Sequence, residues 1–136
     1  MSYAVSGALQ TAVFAALSGD AGLAVLVGTA IYDAVPAGVM PDIYVRLGSE
    51  TVREAGDGSG AGAMHTLTVS VITTNPGFAT AKAAATAVSD ALHDAGLTLT
   101  RGTLVSLRFE RATAQRIDAG SARQIDLRFR ARVSDD

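Results

Sequence analysis

Apolar side chains recur every three to four positions at the start of the chain and every second position at its end. Val5, Leu9, Ala12, Val13, Ala16 and Leu17 make a stripe at helical spacing, which predicts a helix over residues 4–17. Ser2 is placed to cap it and Gly19 to stop it. Residues 22–27 are ambiguous and fit a short helical turn closing on the first helix. Two extended pieces follow at 30–35 and 43–47, and Pro36 and Pro41 keep the connection between them out of helix. A strand at 65–73 puts Leu67, Val69 and Val71 on one face and Thr66, Thr68 and Ser70 on the other. Asn75 and Pro76 then read as the N-cap and first position of a second helix. Its stripe is Phe78, Ala81, Ala85, Val88 and Leu92, it runs to about residue 94, and Gly96 is placed for the left-handed closing residue.

The alternation is longest in the last third. Ile125, Leu127, Phe129, Ala131 and Val133 share one face of a strand, against Gln124, Asp126, Arg128, Arg130 and Arg132 on the other. Residues 103–112 repeat the pattern, with Val105, Leu107 and Phe109 against Ser106, Arg108 and Glu110. Such a period marks an antiparallel hairpin with one covered and one open face. A three-residue turn at Asp118–Ala119–Gly120 would pair Ile117 with Ser121. That register sets Phe109 against Phe129, Leu107 against Ala131, Glu110 against Arg128, and Arg108 against Arg130. The last pair is unfavourable unless an anion or carboxylate lies between, the side chains splay into water, or a bulge breaks the register.

Between 51 and 63 the chain reads as a flexible loop, with Gly56, Gly58, Gly60 and Gly62 alternating with small residues. The 136 residues therefore predict one domain. Its class is α+β, a mostly antiparallel sheet packed on one side by two helices and closing in a long C-terminal β-hairpin.

Charge adds a division that the pattern alone does not show. Residues 1–100 carry three basic and eight acidic side chains, whereas residues 101–136 carry eight basic and five acidic ones. Unlike surfaces on one small domain favour oriented association between copies, although an ordinary solvated face has the same composition. The absence of cysteine excludes a disulfide scaffold and thiol chemistry, and fits an intracellular or at least disulfide-free product. The apolar run at 4–17 lacks a basic leader and is broken by polar residues, so neither a signal peptide nor a membrane span is expected.

Candidate chemistry is sparse. Gly58–Ala63 partly matches a dinucleotide fingerprint, but a strand follows it instead of a helix. His65 starts a strand, and His93 ends a helix beside Asp90 and Asp94, where a solvated helix end is the simpler reading than a ligand set. No catalytic residue, metal ligand or cofactor is indicated. The arginines at 101, 108, 111, 116, 123, 128, 130 and 132 would contact phosphates if they converged. Both nearby phenylalanines fall on the covered face, so a base-stacking platform is not expected.

Several segments together resemble the small tail-completion or tail-terminator proteins of tailed phages and phage-derived gene transfer agents. They are the N-terminal helix with Leu23–Gly28, Ile31–Pro36, Pro41–Gly48, the histidine-led strand His65–Ile72, the alanine-rich helix, Leu104–Arg111 and Arg123–Val133. The resemblance implies a structural subunit of a six-membered ring that caps a tail tube and joins it to the head connector. Its partners would be further copies of itself, the tail tube protein and the head–tail connector protein. DNA would pass through the lumen with transient contact, no membrane would be involved, and no enzymatic activity is implied. Such a subunit would sit at the head–tail junction of the particle and in the cytoplasm before assembly. Arg108, Glu110, Arg128, Arg130 and Arg132 are the candidates for a subunit interface or the DNA channel. The alternative function is a non-specific nucleic-acid-binding module that uses the same arginine-rich face.

Overall fold

The alternation at the end of the chain becomes the seam of a five-stranded sheet. The computed structural model describes residues 2–55 and 62–135. A 3-10 turn at Ser2–Val5 leads into helices α1 (Ser6–Ser18) and α2 (Ala21–Val27). Strands β1 (Ile31–Tyr32), β2 (Ile43–Glu54) and β3 (Gly62–Thr73) follow, then helix α3 (Ala79–Leu92) and strands β4 (Thr103–Ile117) and β5 (Ala122–Ser134). The sheet order is β1-β2-β3-β5-β4, and only the β1–β2 pair is parallel. The fold is α+β as expected, with α2 as a third helix. Among the described residues no single helix is long and apolar enough to cross a membrane.

The core follows from β5. Ile125, Leu127, Phe129, Ala131 and Val133 stand opposite Val71, Val69, Leu67, His65 and Ala63 of β3. They form one apolar cluster with Leu9, Val13 and Leu17 of α1, Leu23 of α2, and Ala81, Ala85, Val88 and Leu92 of α3. Alanines on α3 let that helix lie close to the sheet, where larger side chains would hold it off.

Local chemistry sets the helix ends, and three of them differ from the sequence reading. The α-helix proper starts at Ser6, so its cap position is Val5 and not Ser2. Asp20 caps α2 by accepting the Leu23 N–H at 2.9 Å. Helix α3 starts at Ala79 and not at Pro76, because the chain first turns through Gly77 at φ +75°. It ends at Leu92, and Asp94 at φ +58° takes the left-handed position assigned to Gly96. Aspartate tolerates that conformation, and the Asp94 N–H donates to Leu107 O at 2.7 Å, which ties the turn to β4.

The expected loop at 51–63 is strand at both ends, since β2 reaches Glu54 and β3 begins at Gly62. The rest of it, 56–61, lies outside the described residues. What hid the longer β2 is an irregularity between Leu47 and Glu50. There Gly48 runs so close to β3 that an added Cβ would stand 3.2 Å from Thr68 O.

The closing hairpin carries two shifts that cancel. Ile117 pairs with Ala122 and not with Ser121, so the turn spans 118–121, with Asp118, Ala119 and Gly120 all at positive φ. Glu110 is then an extra residue in β4, and this bulge restores the Phe109–Phe129, Leu107–Ala131 and Arg108–Arg130 pairs. Arg111, not Glu110, therefore stands opposite Arg128. A second bulge at Val105 turns that residue outward, 59% exposed, and lets Leu104 face the core. Phe109 lies on the helix side against Phe129, with centroids 5.9 Å apart, but keeps 38% exposure because no helix covers its outer edge. At the hairpin base Arg101 holds both carboxylate oxygens of Asp135 at 3.1 and 3.0 Å, which keeps that carboxyl below the usual carboxylate range.

Phe129 is the largest of the fully buried side chains and touches both halves of the hairpin. Phe129→Ala should cost about 3–5 kcal/mol, read as a lowered denaturation midpoint or an aggregated product. Gly102 sits at φ +74°, and a Cβ there would meet Ser134 O at 2.6 Å and the Val5 side chain at 2.9 Å. Gly102→Ala should therefore destabilise by about 1–3 kcal/mol; a thermal midpoint equal to the parent's would refute this close approach.

Candidate interaction surface

The open face of the sheet takes its character from the residues that alternate with the core. Arg128 and Arg130 project from β5 beside Thr66 and Thr68 of β3 and Thr51 and Arg53 of β2. With Ser49, Met64 and Glu110 they line a shallow depression of about 390 Å³. A neighbouring depression of about 410 Å³ is shared by Arg108, Ser106, Glu110 and Arg130.

The bulge aims Glu110 into the middle of the arginines. Its carboxylate accepts from Arg128 Nε at 2.8 Å and pairs with Arg130 Nε at 3.3 Å. Arg108 lies 3.8 Å from Asp94 at the sheet edge. The like-charged Arg108–Arg130 pair is thus relieved by carboxylates of the same chain, one to each guanidinium. Arg132 points elsewhere and donates to the Ala55 carbonyl at 3.1 Å. Four of the five candidates therefore gather at the depressions, and Arg132 is used in tying the β2–β3 hairpin to β5.

The eight arginines of the last third do not all converge. Arg101 is held by Asp135. Arg116 and Arg123 pair on the opposite face, where Arg123 lies 5.8 Å over the Phe78 ring and donates to Asn75 O at 3.2 Å. Arg53, by contrast, joins the face although sequence reasoning left it in a loop. Its signal was the period of two running through Thr51, Val52 and Arg53, which Gly48 interrupts.

One part-buried polar network was also missed. Glu50 accepts from Ser6 Oγ at 2.7 Å and from His65 Nδ1 at 3.0 Å, linking α1, β2 and β3. His65 is fully buried and its Nε2 has no partner among the described residues. The carboxylate stands between hydroxyl and imidazole, so the imidazole cannot take the serine proton and the trio is not a nucleophilic triad. His93 accepts the Phe109 N–H on Nδ1 at 2.9 Å and lies 3.3 Å from Asp94. Among the described residues no group of three His, Cys, Asp or Glu side chains could hold a metal.

Both the sequence and the fold have counterparts among known proteins. The family described as Tail completion protein gp17 matches residues 11–134. The chain belongs to that family. It is also similar to a chain in a solved structure of the virion of a native gene transfer agent particle, at 60% identity and a TM-score of 0.94. That match covers 98% of this chain and 99% of the other. No curated protein matches significantly. Membership gives the protein a structural role in a phage-like virion.

Two carboxylates now make opposite predictions. Glu50→Ala leaves a buried histidine without its acceptor and should cost about 1–3 kcal/mol at any salt concentration. Glu110→Ala loosens a part-exposed pair and should cost under about 1 kcal/mol, fading as salt rises. Melting both variants at low and high salt compares them, and a salt-independent loss at Glu110 would contradict the electrostatic account of the bulge.

Proposed function

We propose that this protein is a subunit of a hexameric ring that caps the tail tube and joins it to the head connector, with a lumen through which DNA passes. The observation that carries this reading is the charged depression around Glu110, Arg128 and Arg130, set on a fold shared almost end to end with a gene transfer agent virion chain. The face is polar and shallow, which suits docking to other particle proteins and transient contact with DNA phosphates. Further copies of the chain, the tube protein and the connector protein are its partners, at the head–tail junction of the particle. Before assembly the subunit is cytoplasmic.

A stand-alone nucleic-acid-binding module would need its arginines in one groove. Arg101, Arg116, Arg123 and Arg132 are directed away from the depression around Arg128, and neither Phe109 nor Phe129 lines it. Ring assembly is the better fit.

The test is a charge swap. Arg128→Glu and Arg130→Glu combined with Glu110→Arg keep opposite charges in contact while inverting what the face presents to a partner. The triple variant should melt within about 1 kcal/mol of the parent and fail to assemble or dock, because like charges brought together at an interface cost several kcal/mol, on the order of a thousandfold in affinity. Particles built at the parental level would mean that this face is ordinary solvated surface. Salt-dependent DNA binding by a persistent monomer, lost in the same variant, would favour the nucleic-acid reading instead.

A further inference from the structure

The helix-side face of the hairpin is not wholly covered. Beyond Phe109, α3 leaves a groove of about 350 Å³ floored by Ile125 and Leu127, with Phe109, Ala112 and Ala114 along one wall. The alanines are exposed, and their small side chains leave space that a larger apolar side chain would fill. Lys82 lines the groove, and Arg116 and Arg123 stand opposite each other further along the same face of the hairpin, with Arg123 over the Phe78 ring. Among the described residues none of the three is in an ion pair.

The chain carries a segment of matching chemistry at the other end of the sheet. Residues 33–42 connect β1 to β2 and hold two acidic side chains, Asp33 and Asp42, and no basic one. Val39 is fully exposed and Val35 is 43% exposed. Both ends of the loop are pinned. Gln10 Nε2 donates to Asp33 at 2.6 Å, and the Asp42 carbonyl accepts from Thr74 N–H at 2.9 Å and from Thr73 Oγ at 2.8 Å. Apolar side chains held out on a pinned loop lose little further freedom on docking.

We propose that the groove between α3 and the hairpin receives the 33–42 loop of a second copy of this chain, with Val39 seated over Ile125 and Leu127. A chain cannot fill its own groove, because β1 and β4 are opposite edges of the sheet. Loop and groove are different surfaces, so the contact is heterologous and repeats from copy to copy until a ring closes. It brings the negative loop toward Lys82, Arg116 and Arg123, which orients the encounter. The proposal rests on the ring reading and names the contact between subunits. It also leaves the arginine face, on the other side of the sheet, for partners along the axis or for DNA.

The chain has no cysteine, so introduced thiols report without background. The chain bearing both Val39→Cys and Ala114→Cys is treated with a short bismaleimide, as concentrated protein and within particles, beside each single variant. The expected result is a ladder of covalent multimers from the double variant and none from either single variant. Dimers from a single variant would overturn the proposal, since they report a symmetric contact. An adduct between Ala114→Cys and a different particle protein would overturn it as well. If rings or particles form normally but the double variant gives no ladder, this contact is wrong while the ring reading stands. A double variant that stays monomeric and out of particles, when the parent does too, removes both.

Discussion

Everything in this fold is fitted to the register between β5 and β3. The two strands pair without interruption from Gly62–Ser134 to Thr73–Arg123. That fixes the odd-numbered side chains of β5 under the helices and the even-numbered ones outside. A slip of one residue would bury Arg128, Arg130 and Arg132 and expose Leu127 and Phe129. Burying unpaired guanidinium groups costs several kcal/mol each, so the slipped form cannot compete. The neighbouring strands do the adapting. Irregularities occur in β2 near Gly48 and in β4 at Val105 and Glu110, and none occurs between β3 and β5.

Those adaptations create the surfaces. An unbulged β4 would place Glu110 in the ordinary alternation; the bulge instead puts it between two arginines of the next strand. A sheet edge that ran bare along all of β4 would also invite pairing with any extended chain. The turn after α3 prevents this where the edge borders the core, with Asp94 donating to Leu107 O and His93 accepting from Phe109 N–H. Past that point β4 lies beyond the cover of α3 while Ile125 and Leu127 of β5 stay buried, and the helix-side face of β4 is open at Ala112 and Ala114. One helix end thus determines which part of β4 is core and which part is surface.

The sequence revealed what periodicity governs and hid what single residues decide. The inward set on β5, the stripes of α1 and α3 and the sheet strand at 65–73 were legible because many side chains repeat one choice. The helix starts were misplaced because a cap rests on one or two residues, and Gly77 outweighs Asn75 and Pro76. The hairpin pairs near Phe129 were right although the turn was one residue too short, because the unseen bulge at Glu110 makes up the difference. No local pattern distinguishes a bulged glutamate from a paired one; the bulge follows from the longer turn. Of the candidate surface, the arginines of β5 were legible from alternation. Arg53 was not, because Gly48 looked like the end of a strand when it is a point of close approach. Arg132 was assigned to the surface by alternation alone, which cannot show that its side chain returns to the Ala55 carbonyl.

The Ser6–Glu50–His65 network positions one element of the fold against another. Apolar contacts hold α1 on the sheet but are tolerant of small sliding, since a leucine touches its neighbours in several positions at similar energy. A carboxylate that must satisfy a hydroxyl from α1 and an imidazole from β3 tolerates far less, because either partner left unmet costs about 1–3 kcal/mol. The network therefore fixes α1 along its own axis. Gln10, one turn further on, then reaches Asp33 at the head of the 33–42 loop. Placement of that loop depends on α1, placement of α1 on Glu50, and placement of Glu50 on β3, the strand whose register β5 fixes.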